Sequence, residues 1–310
     1  MAAASVIALM GATATGKTDL AVELCERYPL EIISVDSALI YRGMDIGTAK
    51  PEPLVLSRAP HFLVDIIDPA ESFSVWDFVQ QSRRFVGEIN ARGNTALMVG
   101  GTMMYYHAFE QGLNELPVAD ERLRETLDKQ GKTIGWEAMH SQLLLCDPES
   151  AQKIRPTDSQ RIQRALEVFQ LTGKPLSLLQ KGKRDGFDGK IEKIILSVED
   201  RSLLHQRIEL RFKQMLEAGF LNEVEGLKQR GDLGPDLPSM RCVGYRQAWQ
   251  YLDSELSYQE LVEKAVAATR QLAKRQITWL RKQPQDRAFD CLRYRKGDIF
   301  GVVDGIISKG

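Results

Sequence analysis

A glycine-rich motif near the N-terminus constrains this chain more than any other feature. The segment Gly11-Ala-Thr-Ala-Thr-Gly16-Lys17-Thr18 matches the pattern G-x-x-x-x-G-K-[ST]. Its glycines allow a tight turn in which successive backbone N–H groups face one anion, and a following helix adds its N-terminal dipole. Lys17 supplies a positive charge, and the Thr18 hydroxyl is a ligand that suits Mg²⁺. The motif therefore predicts a loop that binds a polyphosphate.

The segments around this motif predict a parallel α/β sheet. The apolar run SVIALM (5–10) precedes the loop as a buried strand, and a helix follows it to about Tyr28. The segments EIISVDS (31–37) and TALMVGG (95–101) are apolar, β-branched and bounded by polar residues or glycine, as strands are. Strands that alternate with helices favour a parallel sheet with helices on its faces.

The pattern becomes mostly helical after residue 118. Thr157-Asp-Ser-Gln160 has the form of a capping box, and it opens a helix that Gly173 closes. We therefore predict a P-loop core at 1–117 and 196–310, with a helical insertion at 118–195. Within and after the insertion, further segments are predicted as a strand at 193–198 and helices at 202–217, 221–229 and about 258–282.

Composition excludes several other classes of protein. Hydrophobic residues make up 43% of the chain and charged residues 27%, as in an ordinary globular protein. The four cysteines and four histidines are scattered, which argues against a zinc site and a disulfide framework. No apolar run reaches transmembrane length, and the N-terminus lacks the basic start of a signal peptide. We expect a cytoplasmic protein.

The net charge of −1 conceals an uneven distribution of charge. Residues 1–152 carry 12 Lys and Arg against 21 Asp and Glu, whereas residues 153–190 carry 9 against 4. Residues 201–296 are also basic, with 18 against 12. Such an imbalance is typical of solvated helix faces, but it also suits a lobe that binds a polyanion such as nucleic acid.

The P-loop lacks the usual companions of a phosphoryl-transfer enzyme. Those enzymes place an Asp at the end of another strand to hold Mg²⁺, yet the strand at 95–99 ends in Gly100-Gly101-Thr102. The nucleotide-base pattern Asn-Lys-x-Asp is also missing. Asp36 follows the strand at 31–35, where it serves equally well as a general base, a Mg²⁺ ligand or a helix cap. Thr102 by itself reads as a turn residue.

Five blocks of sequence together resemble bacterial tRNA dimethylallyltransferases, the IPP transferase family. They are GATATGKT (11–18), SVDSALIYRGMDIGTAKP (34–51), LMVGGTMMYYHA (97–108), SMRCVGYRQAW (239–249) and TRQLAKRQITWLR (269–281). The resemblance implies a core similar to that of P-loop kinases, with a helical insertion that grips the anticodon stem-loop. It implies transfer of a dimethylallyl group from its diphosphate to the exocyclic 6-amino group of the adenosine just 3′ of the anticodon. The tRNAs concerned read codons that begin with U.

This reaction explains a P-loop without a phosphoryl-transfer apparatus. An allylic diphosphate ionises, so the loop would stabilise the charge of the departing diphosphate, together with Mg²⁺. The adenine amine is a weak nucleophile, and a carboxylate that accepts its proton assists the attack. The resemblance assigns that base to Asp36 and a contact with the target nucleotide to Thr102.

The resemblance also assigns binding residues along the chain. The diphosphate-binding residues are Gly11, Ala12, Thr13, Ala14, Thr15, Gly16, Lys17 and Thr18, with Thr18 also the Mg²⁺ ligand. The tRNA-binding residues are Asp36, Ser37, Ala38, Leu39, Thr102, Arg124, Gln160, Arg161, Ile162, Gln163, Arg164, Arg241, Cys242, Val243, Gly244, Tyr245, Arg246, Lys274, Arg275, Gln276 and Arg281. Tyr245 and Trp279 are candidates for stacking on bases, although Trp279 also suits a core position.

The sequence departs from the family at Leu39, where many members carry Gln, which bears on base recognition at that position. We expect a monomer that needs Mg²⁺ and does not associate with a membrane. Three alternatives predict different behaviour: a small-molecule P-loop kinase, a prenyltransferase that acts on free adenine nucleotides, and a non-catalytic RNA-binding protein. The basic regions after residue 153 disfavour a mononucleotide substrate, which does not need them.

Overall fold

The computed structural model describes residues 4–182 and 184–308, and these form two compact units. One unit comprises residues up to Glu110 and from Phe187 onward, and the other comprises Gln111–Gly186. The insertion therefore begins and ends earlier than the predicted 118–195. Its end differs because the strand expected at 193–198 already begins at Gly189, so that residues 187–195 belong to the first unit.

A six-stranded sheet in the order β3-β2-β4-β1-β5-β6 organises the first unit. All its recorded pairings are parallel. The central strand is buried from Val6 to Met10 without any alternation, because helices cover both faces of the sheet. The strands are β1 (Ala4–Gly11), β2 (Leu30–Val35), β3 (His61–Phe62), β4 (Thr95–Gly100), β5 (Gly189–Ser197) and β6 (Ala288–Asp290).

The strand register brings three strand ends to one edge of the sheet. Gly100 pairs with Met10 of β1 on one side and with Val35 of β2 on the other. The residues that follow β1, β2 and β4 therefore emerge together at the carboxyl edge, where open α/β sheets bind ligands. These residues are the P-loop, Asp36 and the pair Gly101 and Thr102.

The helices of the first unit flank this sheet. Sequence patterns had indicated those at 17–28, 202–217, 221–229 and 258–282, and the structure confirms all four to within two residues. The helices are α1 (Lys17–Arg27), α2 (Pro53–Arg58), α3 (Val75–Ala91), α4 (Met103–Gln111), α10 (Arg201–Glu217), α11 (Phe220–Gln229), α12 (Tyr245–Leu252), α13 (Tyr258–Leu280) and α14 (Lys296–Ile307).

The second unit is helical and has its own core. Buried residues of this core include Leu127, Met139 and Leu166. The predicted helix after residue 157 is present, but its N-cap is Asp158 rather than Thr157, because the Asp158 carboxylate accepts the Arg161 N–H at 3.2 Å. Gly173 closes it in the left-handed conformation, as predicted. The helices are α5 (Glu121–Ile134), α6 (Trp136–Cys146), α7 (Pro148–Lys153), α8 (Ser159–Thr172) and α9 (Leu176–Leu179).

None of the helices in the described ranges 4–182 and 184–308 has the length and apolar character needed to cross a membrane.

Candidate active site

The P-loop joins β1 to α1 as the motif predicts. Gly16 adopts a φ of 82° at the N-cap of α1, a left-handed conformation that favours glycine. The buried Thr15 hydroxyl donates to the Ala12 carbonyl at 2.8 Å, which tightens the turn. The Lys17 ammonium donates to the same carbonyl at 2.6 Å, so the side chain folds back over the loop. These two hydrogen bonds to one carbonyl hold the loop in a compact turn.

The surroundings of Lys17 lower the pKa of its ammonium group. The pKa of the Lys17 ammonium is lowered to about 8, mainly by burial and to a smaller extent by the positive charge of Arg211. The negative charge of Asp36 opposes both effects and raises the pKa. Burial likewise lowers the pKa of Arg211, which Asp36 again counteracts. One carboxylate therefore interacts with two cations at this edge of the sheet.

Asp36 and Thr102 are held beside each other by the ends of β2 and β4. The Asp36 carboxylate accepts the Ala38 N–H at 2.8 Å, and the Thr102 hydroxyl accepts the Ser37 N–H at 3.2 Å. The strands approach so closely that a Cβ on Gly100 would lie 2.1 Å from the Val35 carbonyl oxygen. Asp36 and Thr102 are both partly exposed. The structure thus brings together the two residues predicted to act on the nucleotide.

Gln276 of α13 has a different place from the one expected of an RNA-contacting side chain. It is 9% exposed, its carbonyl oxygen accepts the Thr13 N–H at 2.9 Å, and its amide donates to the Gly101 carbonyl at 2.9 Å. Gln276 therefore links the P-loop to the end of β4 from a helix 263 residues away in sequence. The side chain is buried and both ends of its amide are paired within the protein, so it is not placed to contact RNA directly.

A cleft of about 1100 Å³ opens next to the P-loop. Thr15 and Gly16 contribute one part of its lining, and Arg207 and Arg211 of α10 contribute another. The segment from Asp45 to Pro53 also lines it. Neither arginine was predicted as a site residue, although their spacing of four residues places both on one face of a helix. The cleft therefore combines part of the P-loop with four cationic side chains, since Lys50 and Lys296 also line it, and with five carboxylates.

The segment Arg241–Arg246 divides into exposed and buried residues. Arg241 and Arg246 are exposed, and Cys242 and Val243 are partly buried. Tyr245 is fully buried, its ring lies edge-on to Phe220, and its hydroxyl donates to the Glu223 carboxylate at 2.5 Å. The predicted stacking of Tyr245 on a base is therefore wrong. Gly244 caps α12 with a φ of 93°.

Glu223 explains why Tyr245 is held inside. Its carboxylate also accepts the backbone N–H groups of Asp45, Ile46 and Gly47 at 2.9, 2.7 and 3.2 Å. Burial and the negative charge of Glu223 raise the pKa of the Tyr245 hydroxyl, which keeps it a donor. Glu223 therefore fixes one wall of the cleft, a role that sequence patterns do not reveal.

In the second unit, Glu167 pairs with two of the three arginines predicted to bind RNA, Arg124 and Arg164. This carboxylate is fully buried and accepts two hydrogen bonds from Arg124, at 2.9 and 3.1 Å. It also accepts one from Arg164 at 2.6 Å and one from the Asp120 N–H at 2.9 Å. Arg164 in addition donates to the Pro117 carbonyl at 2.8 Å. Arg124 and Arg164 are therefore parts of an internal ion network.

The remaining predicted residues of α8 differ in exposure. Gln160 and Arg161 are exposed, whereas the Ile162 side chain is fully buried in the core of the unit. Gln163 donates to the Arg124 carbonyl at 3.0 Å, which ties α8 to α5. Arg161 and Arg164 thus differ, because Arg164 is partly buried and pairs with Glu167, whereas Arg161 is exposed.

The C-terminal half of helix α13 and its C-cap residue are basic. Lys274, Arg275 and Arg281 are exposed, as predicted for residues that contact RNA. Trp279 is partly buried and lies edge-on to the His107 ring at 6.4 Å between centroids. Of the two aromatic residues proposed for stacking, only Trp279 retains accessible surface.

The site suits Mg²⁺ bound through a substrate better than Mg²⁺ bound by the protein alone. Across the described part of the chain, no group of three or more His, Cys, Asp or Glu side chains could hold a metal. Mg²⁺ commonly takes only one or two protein oxygens, with substrate phosphates and water as its other ligands. The exposed Thr18 hydroxyl at the start of α1 fits that arrangement.

Comparisons with known proteins identify the relatives of this chain. Residues 39–283 match the protein-family model described as IPP transferase. A tRNA dimethylallyltransferase from Burkholderia lata is 52% identical over 292 residues, which cover 93% of this chain and 90% of that protein. The chain belongs to the IPP transferase family. The range that matches the family model starts after the P-loop and Asp36.

Solved structures of similar proteins confirm the predicted α/β fold. The tRNA isopentenylpyrophosphate transferase from Bacillus halodurans is 35% identical, with a TM-score of 0.71 and coverage of 99% of this chain and 97% of that chain. A eukaryotic dimethylallyltransferase acting on tRNA is 25% identical, with a TM-score of 0.75 and coverage of 93% and 74%. The IPP transferase fold thus extends over both units of this chain.

Proposed function

We propose that this protein transfers a dimethylallyl group from dimethylallyl diphosphate to the exocyclic 6-amino group of the adenosine 3′ of the anticodon, in tRNAs that read codons beginning with U. One observation carries the proposal. Gly100 of β4 pairs with Met10 of β1 and with Val35 of β2, so the P-loop and Asp36 leave the sheet at the same edge. A base and a diphosphate cradle therefore share one edge of the sheet.

The reaction breaks the bond between the allylic carbon and the diphosphate oxygen, and both electrons remain on that oxygen. Lys17, Arg211 and the P-loop N–H groups stabilise the negative charge that develops there. The adenine nitrogen forms the new bond to the allylic carbon, and its proton passes to the Asp36 carboxylate. Thr102 lies beside this path, because its hydroxyl accepts the Ser37 N–H next to Asp36.

Mg²⁺ would be held by the Thr18 hydroxyl together with diphosphate oxygens. When bound, it neutralises charge on the leaving diphosphate.

The tRNA is proposed to contact both basic regions of the chain. The target base must leave the stack of the anticodon loop, which costs a few kcal/mol, and contacts with backbone phosphates offset that cost. A tRNA substrate places the enzyme in the cytoplasm, and we expect it to act as a monomer. The exposed residues that support this role are Ser37, Gln160, Arg161, Arg241, Arg246, Lys274, Arg275 and Arg281.

The proposal is tested by incubating the protein with labelled dimethylallyl diphosphate, Mg²⁺ and unmodified tRNA. We expect label in tRNA, at the adenosine 3′ of the anticodon, and none in parallel reactions with AMP or ATP as acceptor. Label in the free nucleotides but not in tRNA would favour a nucleotide prenyltransferase. ATP turnover without use of the allylic donor would contradict the proposal altogether.

A further inference from the structure

A second, smaller depression lies between α10 and α13 of the first unit, and we call it the α10–α13 groove. Its volume is about 220 Å³. Its apolar floor consists of Leu204, Ala273 and Ile277, all buried in the core of the unit. The polar residues that line it are Arg201, His205, Arg270, Gln271 and Lys274.

The lining of the groove is basic and contains no carboxylate. Arg201 and His205 lie four apart on α10, and Arg270 and Lys274 lie four apart on α13, so each helix turns two of these residues to the same side. The nearest recorded counter-charge is Glu209, whose carboxylate accepts from Arg270 at 3.1 Å. Glu209 also accepts from Lys213 at 2.9 Å, so it offsets only part of the charge of Arg270.

Arg270 leaves one donor without an acceptor. Its Nε is buried and has no hydrogen-bond partner within the described ranges of the chain. Buried N–H groups are nearly always paired in native structures, so an orphaned one indicates a missing acceptor. A guanidinium has only donors to offer, and a phosphate has only acceptors at neutral pH. The groove therefore has the chemistry of an anion site.

We infer that the α10–α13 groove binds a backbone phosphate of the tRNA, through Arg201 and Arg270. This inference rests on the proposed function and extends the RNA-binding surface to α10, where sequence analysis placed no contact. Lys274, which lines the groove, and its neighbour Arg275 are both exposed on α13. A single phosphate in a polymer suits it better than a free diphosphate, for which the P-loop cleft already provides a backbone cradle.

The test measures the affinity of the full-length protein for an unmodified substrate tRNA at several KCl concentrations. In the double variant Arg201→Ala with Arg270→Gln, we expect about a tenfold weaker affinity at low salt. The slope of log K against log salt should fall in magnitude by about 1, the value for the loss of one phosphate contact. The KM for dimethylallyl diphosphate at saturating tRNA should stay unchanged, because the groove does not bind the donor.

Two control variants distinguish the loss of the groove site from a loss of total charge and from a folding defect. Arg58→Ala with Arg84→Ala removes two exposed arginines from α2 and α3, which do not line the groove, and should leave the salt slope as in the wild type. Arg201→Lys with Arg270→Lys keeps both charges and should retain most of the slope. Arg201→Glu reverses one exposed charge at the start of α10 and tests the site without altering Arg270.

The outcomes discriminate between the inference and the proposed function. A wild-type salt slope in both the Arg201→Ala, Arg270→Gln variant and the Arg201→Glu variant would overturn the groove site while tRNA modification stands. An equal decrease of the salt slope in the Arg58→Ala, Arg84→Ala control would also overturn the groove site, because the loss of total charge would then explain the effect. A wild-type protein that neither binds nor modifies tRNA would instead overturn the proposed function.

Discussion

At the scale of single residues, the chemistry of the site depends on how three charges share one edge of the sheet. Lys17 is partly buried and its pKa is lowered to about 8, first by desolvation. Its ammonium has a carbonyl partner at 2.6 Å and a negative neighbour in Asp36. A diphosphate that enters the loop adds negative charge and therefore favours the protonated form of Lys17.

We expect the affinity for inorganic pyrophosphate to fall as the pH rises above about 8. Above that pH the free protein loses the Lys17 proton, and binding of the anion must be coupled to uptake of a proton by Lys17. The affinity therefore falls by up to about tenfold per pH unit. Calorimetric titrations from pH 7 to pH 10 measure the effect. The matched control is Lys17→Arg, whose guanidinium stays charged, and the titration of pyrophosphate itself cancels in the comparison. Equal slopes for the two proteins would contradict the assignment to Lys17.

Asp36→Asn should lower kcat by about 10²- to 10⁴-fold, the usual contribution of a general base. The amide keeps the size of the side chain and its hydrogen bond to the Ala38 N–H, but it cannot take the proton of the adenine amine. Single-turnover transfer measures the chemical step, and pyrophosphate binding and tRNA binding serve as controls that should change little. Turnover near that of the wild type would rule out Asp36 as the base.

At the scale of elements, α13 connects the P-loop to the rest of the first unit. The helix begins with a capping box between Ser257 and Glu260 and runs for 23 residues. Its buried stripe includes Leu261, Ala265 and Ile277, which pack in the main core. The packing of this stripe sets the position of Gln276, whose amide holds both the P-loop and the end of β4.

Gln276→Ala should loosen the P-loop without removing any charge. The Thr13 N–H and the Gly101 carbonyl lose their partner, and a buried group left unpaired costs about 1 to 3 kcal/mol. We expect a lower melting temperature and a KM for dimethylallyl diphosphate several-fold higher, while the salt slope of tRNA binding stays the same. The matched control is Gln259→Ala, an exposed glutamine near the start of the same helix. A change in the salt slope with an unchanged KM for the donor would instead support a direct RNA contact for Gln276.

At the scale of the whole molecule, the chain builds two units, each with its own hydrophobic core. The P-loop and Asp36 belong to the first unit, and the network of Arg124, Arg164 and Glu167 belongs to the second. Glu167 is buried, whereas Arg124 and Arg164 are partly exposed. The carboxylate therefore orients two guanidinium groups that still have solvent-accessible surface.

Glu167→Ala should therefore affect tRNA and not the allylic donor. Two arginines lose the buried acceptor that orients them, and we expect a cost of about 1 to 3 kcal/mol in the stability of the second unit. The KM for tRNA should rise several-fold, while the Kd for pyrophosphate, measured by calorimetry, should stay at the wild-type value. The control Glu149→Ala removes an exposed carboxylate of the same unit that pairs with Lys153 and Lys181. A loss of pyrophosphate binding in Glu167→Ala would contradict this division of roles.

The features that sequence predicted correctly are those encoded by neighbouring residues. The P-loop, the strand before it and the position of Asp36 at a strand end follow from local patterns of apolar residues, glycine and charge. The helix that Gly173 closes follows from the same kind of signal. The order of the strands and the short edge strands β3 and β6 were not predicted, because pairing joins segments that are distant in the chain.

The sequence alone determined that this protein has a loop of the P-loop pattern on a parallel sheet and that it resembles the IPP transferases, since both conclusions depend on short contiguous motifs. Only the tertiary structure decided which polar side chains face inward. Gln276 reaches the P-loop, Tyr245 donates to Glu223, and Arg164 pairs with Glu167. The physical reason is that a buried polar group must find a partner wherever the fold provides one, and motif patterns do not specify which neighbour that will be.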